Sequence, residues 1–407
     1  MHKRFLHFIL FLSICVSCNK PKVKTLKKGT YRAILKVKDN QKLPFIMDVK
    51  SDSLLSVYNA EEEIIVDEIS YVNDSVLIKM PVYEGYIMAK IKKNGLLQGS
   101  FIKESLDRTV PFYTEAFNKR FIKTKKTNVD VSGNWEVIFS QNSKEDKYIA
   151  KGIFKQKKSS VTGTFRTTTG DYRYLEGIIN GDSLKLSTFD GAHAFLFTAK
   201  VTDSIMNGYF YSGNHWKETF TAKLNNSYEL PNEEELTFLN PEYESFDFSF
   251  SDENGKIISL SDKEYQNEVV LVQIMGTWCP NCLDESKFYV NYLNNNPNKK
   301  IKIVALAFEV AKNKDAAFKR IQRLKNRIGI NYPVLLADFG NVANKTMAQK
   351  KLPMLNHILS YPTTIFIDKK GKVRKIHTGF NGPATGKNYI DFKKDFEVFI
   401  DLLVNEK

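Results

Sequence analysis

Three patterns of apolar and polar positions succeed one another along the chain. From Gly29 to about Asn225, short runs alternate apolar and polar residues with period two, among them Tyr31–Val37, Val76–Met80, Tyr86–Ile91, Trp135–Phe139 and Ala194–Lys200. Asn, Asp and Gly turns separate the runs, so the region is predicted to be all β. It also reads as duplicated. Gly29-Thr30-Tyr31 matches Gly133-Asn134-Trp135, and Asp74-Ser75-Val76-Leu77 matches Asp182-Ser183-Leu184-Lys185. Tyr83-Glu84-Gly85 matches Phe189-Asp190-Gly191, and Gln98-Gly99-Ser100-Phe101 matches Asn207-Gly208-Tyr209-Phe210, at an offset that drifts only as loop insertions would make it. Two β units, 29–125 and 126–225, follow. They are sandwiches or barrels, each folded alone or both paired into one larger body.

Between Leu224 and Gly255 there is no Lys or Arg, while Glu233-Glu234-Glu235, Pro231 and Pro241 fall inside. This shift marks an acidic linker over 226–241. From Glu242 to Lys407 strand-like and helix-like patterns alternate. Phe246–Phe250 reads as a strand, Val269–Met275 and Ile301–Phe308 as buried strands, and 280–294 as a helix. Phe318, Ile321, Leu324 and Ile328 make one helical face, and Phe392, Phe396, Phe399 and Leu403 another. Pro333–Ala337 and Thr364–Asp368 are short strands, the latter opening a hairpin turned at Lys370-Gly371. The alternation predicts an α/β sheet with helices on both faces.

The N-terminus adds a location. Met1-His2-Lys3-Arg4 is basic, and Phe5 to Val16 is an apolar run too short for a bilayer span of about 20 residues. This pattern suits a secretory signal peptide over 1–17. Its end, Cys15-Val16-Ser17-Cys18-Asn19, resembles a bacterial lipobox, which implies lipidation of Cys18 and a basic tether over 18–28. Asn19 is not the Asp that resembles an inner-membrane retention signal. The expected location is therefore the cell envelope, lipid-anchored and facing the periplasm, with the outer membrane favoured over the inner. The net charge of +14 comes from lysines scattered along the chain rather than gathered in a tract. Without a basic patch or a recognisable module, nucleic-acid binding is not expected.

Of four cysteines, Cys15 leaves with the signal and Cys18 carries lipid, so Cys279 and Cys282 remain. One closely spaced pair in an exported chain points to redox exchange rather than to structural disulfides. The pair opens a helix, where unpaired N–H groups and the helix dipole favour thiolate. Pro280 suits the first helical position because its missing N–H would have no partner there. Cys279 is thus the nucleophile, and Cys282, one turn in, resolves the mixed disulfide. Haem attachment would need His where Leu283 stands, and structural zinc would need a second ligand pair. His193 and His215, with Asp190, lie in aromatic-rich β segments without metal-ligand spacing, so no metal site is expected. The expected cofactor is none beyond the Cys279–Cys282 disulfide itself.

At Gly276-Thr277-Trp278-Cys279-Pro280-Asn281-Cys282, at Glu285, and at Tyr361-Pro362-Thr363-Thr364-Ile365-Phe366-Ile367-Asp368, the sequence resembles the thioredoxin-like TlpA/ResA thiol-disulfide oxidoreductases. The resemblance covers about 242–405 and implies a thioredoxin fold. It further implies a cis Pro362 beside the disulfide, Trp278 and the Tyr361 backbone against an extended substrate, and Glu285 tuning thiol protonation. Lys287 stands where the family often has Pro, and Gln266-Asn267-Glu268 replaces its usual Gly-Lys. HTGFNGPATG (377–386), GDYRYLEG (170–177) and FDGAHAFLF (189–197) resemble longer lipoprotein members from Bacteroidetes-type bacteria.

These readings converge on a membrane-anchored periplasmic oxidoreductase that reduces or isomerises disulfides of exported proteins. It would draw electrons from a membrane donor of the CcdA/DsbD type. The alternatives are an envelope binding module whose β region captures a ligand, the redox domain being secondary, and a thiol peroxidase of the same fold class.

Overall fold

The computed structural model describes residues 24–340 and 345–406. The signal segment and Cys18 lie outside the described residues.

The β region forms two separate nine-stranded antiparallel sheets. In the first, each strand pairs with its chain neighbour, and the first strand, Gly29–Lys36, also pairs with the last, Arg108–Glu115. The sheet stays open at one seam, between Glu62–Val66 and Glu68–Val72, which follow each other in sequence without pairing. In the second, Gly133–Phe139 pairs with both Tyr148–Lys157 and Trp216–Leu224. Tyr148–Lys157 then pairs with Ser160–Thr167, which closes the sheet into a barrel with no free edge along that seam. The strand pattern explains the closure. Trp135, Val137 and Phe139 point into the barrel and are fully buried, while Asn134, Glu136 and Ile138 face outward. Phe139, Phe165, Phe197, Phe210 and Phe220 fill the interior edge to face.

The duplication has a structural counterpart. Gly29 and Gly133 each open the first strand of their unit with positive φ, +138° and +116°, and each of those strands pairs with the last strand of its own unit. The units are not independent, however. Phe189 of the second stacks on Phe45 of the first at 4.4 Å, and Asn59 bonds both the N–H and the carbonyl of Phe189.

The C-terminal sheet has seven strands. Val269–Met275 is an interior strand, parallel to Ile301–Glu309 at the middle of the sheet, which is parallel in turn to Val334–Phe339. On the other side it runs antiparallel to Thr363–Ile367, followed by Val373–Thr378. Helices α1 (Pro280–Asn295), α2 (Lys314–Ile328), α3 (Lys345–Gln349) and α4 (Lys387–Asn405) accompany it. Of the expected strand Phe246–Phe250 only Ser249 and Phe250 are in a strand, Ser249–Ser251, which pairs with Ile257–Ser259; 246–248 form no strand. Phe246 and Phe248 are nevertheless buried, so packing rather than pairing explains their apolar pattern. The acidic segment 226–241 is docked, not free. Thr237 is buried against Thr378, and the Thr378 N–H donates to the Glu233 carbonyl.

Candidate active site

The interior strand Val269–Met275 ends and the chain turns sharply through Gly276-Thr277-Trp278 into α1. A Cβ on Gly276 would lie 2.4 Å from the Trp278 indole nitrogen, so only glycine lets the indole fold back to donate to the Phe308 carbonyl at 2.9 Å. Cys279 is the N-cap of α1, with Pro280 in the first turn. The Cys282 N–H donates to Cys279 Sγ at 3.2 Å, satisfying one of the unpaired donors of the helix start with sulfur. Cys279 Sγ also lies 3.3 Å from the Tyr361 carbonyl oxygen, on the residue before cis Pro362. Both cysteines are thiols; Cys279 retains 7% of its surface and Cys282 none. Burial, then the hydrogen bond to Cys279 and its charge, push the Cys282 thiol well up.

Glu285 is fully buried rather than on the helix surface. It accepts from Gln273 Nε2 at 2.7 Å, Thr364 Oγ1 at 3.0 Å and Tyr289 Oη at 3.1 Å. Burial outweighs these bonds and lifts its carboxyl to about 7, one helical turn past Cys282. Trp278 and Tyr361 pack edge to face at 5.5 Å beside the sulfur. Cys279, Cys282, Glu285, Pro362, Trp278 and Tyr361 thus come together at one end of the sheet.

Other groups join them without a local signal. Glu309, buried at the end of its strand, accepts from Thr277 N at 2.8 Å and Thr277 Oγ1 at 2.6 Å, and so fixes the turn that carries Trp278. Burial raises it too, to about 7. Lys345 of α3 lines the same cleft as Cys279, its ammonium on the Leu359 carbonyl. The second barrel reaches in as well. Arg173 bonds the Pro280 carbonyl at 3.0 Å and Asp284 at 2.6 Å, and also pairs with Glu62 of the first unit and with Asp190. One guanidinium therefore ties the start of the catalytic helix to both β units. The GDYRYLEG segment belongs to this interface, which its sequence alone could not reveal because its partners lie more than a hundred residues away. His193 bonds Asp190 and stacks on Phe195, whereas His215 is half-buried in a neighbouring cavity. Among the described residues no group of three or more acidic, His or Cys side chains could hold a metal.

The AhpC/TSA family model matches residues 242–376. The chain is 29% identical over 150 residues to thiol-disulfide oxidoreductase ResA of Bacillus subtilis, covering 37% of this chain and 74% of that protein. It is 32% identical over 133 residues to ResA of Geobacillus thermodenitrificans, covering 33% and 66%. Solved structures similar to it include a thiol:disulfide interchange protein from Chlorobium tepidum (20% identity, 40% of this chain and 95% of that one, TM-score 0.29) and a thiol-disulfide oxidoreductase from Bacteroides fragilis (17%, 37% and 99%, TM-score 0.27). The C-terminal domain is a thiol-disulfide oxidoreductase of thioredoxin fold. Within that class it is TlpA/ResA-like.

Proposed function

We propose that the chain is a lipid-anchored, periplasm-facing enzyme that reduces or isomerises disulfides of exported proteins through Cys279 and Cys282. The observation that carries the chemistry is the placement of Cys279 Sγ, 3.2 Å from the Cys282 N–H and 3.3 Å from the Tyr361 carbonyl, with Cys282 buried behind it. Cys279 thiolate attacks one sulfur of the substrate disulfide. That bond breaks, the other substrate sulfur leaves as thiolate, and a mixed disulfide forms on Cys279. Cys282 then gives up its proton and attacks Cys279 Sγ, releasing the second substrate thiolate and leaving a Cys279–Cys282 disulfide. Glu285, buried one helical turn past Cys282 with its carboxyl lifted to about 7, would take the Cys282 proton. Two electrons have passed to the substrate, and a membrane donor of the CcdA/DsbD type restores the dithiol. The Tyr361 backbone and Trp278 would hold the substrate segment against the sulfur. Anchoring rests on the lipobox-like Cys15–Asn19 and predicts that Cys18→Ala moves the protein to the soluble fraction.

Cys279→Ser should abolish disulfide reduction, and Cys282→Ser should accumulate mixed disulfides visible on non-reducing gels. Full activity in Cys279→Ser would end the proposal. Equilibration with glutathione decides direction: a potential near about −270 mV marks a reductant and one near about −120 mV an oxidant.

A further inference from the structure

A second cavity, of about 360 Å3, lies where the two β units and the C-terminal domain meet. The first sheet lines it with the turn end of the hairpin Leu97–Lys103 and Arg108–Glu115, and the second barrel with 192–195 and His215. The C-terminal domain adds Thr277, Trp278, Val310 and Arg320. His193, Phe195 and Trp278 also line the dithiol cleft, so the two spaces share a wall, but neither sulfur lines this one. Its volume is that of a small-molecule site, about 300–1,000 Å3.

The charge in this cavity is unbalanced. Lys103 and Arg108 stand directly opposite each other across the hairpin, a position where like charges repel and weaken a sheet. Among the described residues neither is in an ion pair. Lys103 Nζ donates to the Ala192 carbonyl at 3.1 Å, and the Arg108 guanidinium has no hydrogen-bond partner. The carboxylates nearby are taken. Glu84 pairs with Arg320 and accepts from Ser105 Oγ, while Asp190 pairs with Arg173 and lies 3.2 Å from His193 Nδ1. Glu104 accepts from Tyr86 Oη, and neither it nor Asp107, in the turn between the two cations, lines the cavity. Three cations thus face one carboxylate. The excess is felt at His215, whose pKa burial lowers to about 4 with help from Arg108, Lys103 and Lys38.

Around these charges the wall is apolar, with Val82, Phe101, Leu106, Phe195 and Val310. Such a space fits a molecule with an apolar body and an anionic head. Two oxygens of a carboxylate match the arginine fork, whereas a phosphate dianion would carry a larger hydration cost into apolar walls. We propose that this cavity binds a small carboxylate with an apolar body, its head between Lys103 and Arg108 and its body on the wall that includes Trp278. The repulsion between the two cations is a strain on the empty protein that the ligand relieves.

The test is calorimetric titration of the full chain with octanoate below its micellar concentration. Octanol and octylammonium control for the charge, and acetate for the apolar body. Octanoate should bind at one site per chain, about tenfold or more tighter than any of the three. Arg108→Gln and Lys103→Met should each weaken octanoate by about fivefold or more and leave octanol unchanged. Without ligand both variants should melt no lower than wild type, because each removes a like-charge pair rather than a support. Cys279→Ser should bind octanoate as wild type does. The proposal is overturned if octanoate does not bind, if octanol matches it, or if either cation variant keeps the full octanoate affinity. Loss of octanoate binding in Cys279→Ser would put the molecule in the dithiol cleft, and a lower melting temperature of the empty variants would make the cations structural; either result also overturns it.

Discussion

The sulfur of Cys279 lies 3.3 Å from the carbonyl oxygen of Tyr361, a residue 82 positions further along the chain. The contact places the reactive atom between two loops, so that a segment paired with the Tyr361 backbone would bring its own sulfur to the helix start. Cys282 lies behind it, with no exposed surface. The two thiols should therefore differ sharply in alkylation. Brief treatment of the reduced protein with iodoacetamide should label Cys279 at least about tenfold faster than Cys282, because thiolate and access both favour it. Peptide mapping by mass spectrometry checks this; equal labelling would contradict the assigned roles.

Glu285 supplies the pH dependence. Its carboxyl titrates near about 7 in the fold because burial opposes its charge, against about 4.3 in an unfolded chain. Between those values the folded protein holds a proton that the unfolded chain has released. The cost of the buried carboxyl thus appears as pH rises through this window and is complete above about 7. Relative to wild type, Glu285→Gln should gain on the order of 3 kcal/mol on going from about pH 4 to about pH 8. Denaturation at several pH values measures the difference. The same variant should resolve mixed disulfides more slowly at neutral pH and lose the rate limb near about pH 7.

Glu309 acts through Thr277. Glu309→Ala leaves the buried Thr277 N–H without its acceptor and should cost about 1–3 kcal/mol. Because Thr277 positions Trp278, the indole emission should shift as well, while Glu309→Gln, which keeps an acceptor, should recover most of both.

Arg173→Met should destabilise by about 3–5 kcal/mol, since Asp190, Asp284 and Glu62 would lose their shared cation in a buried setting. Asp284 is already raised, by burial first, so it protonates readily once the arginine is gone. The loss should be smaller near about pH 5 than near about pH 8, as urea titrations of both proteins would show.

The contact between Gly170 and Asn281 predicts a specific coupling. Gly170→Ala should cost about 2 kcal/mol or more, from overpacking against Asn281 and from a φ of +129°. Asn281→Gly should return part of that loss in the double variant. Additive effects in the double-mutant cycle would mean the two residues are not in contact.

Much of this chain could be read locally. Period-two alternation is a property of one strand, and the Cys279-Pro280-Asn281-Cys282 turn is a property of one strand end and one helix start, so both are written within a few residues of where they act. The cis bond at Tyr361-Pro362 was legible through resemblance, whereas the burial of Glu285 and its raised carboxyl were not. Strand alternation could not decide between a sandwich and a barrel, because both require the same inward and outward faces; closure depends on which distant strands pair, here Tyr148–Lys157 with both Gly133–Phe139 and Ser160–Thr167. Glu309 directly follows an apolar run and carries no local sign that Thr277 is its partner. Arg173 and the Thr167–Gly170 turn looked like parts of a β region remote from the cysteines. Only the docking of three bodies set them beside the dithiol, since desolvation, charge pairing and packing are made between residues a hundred or more positions apart, and no window of sequence contains both partners.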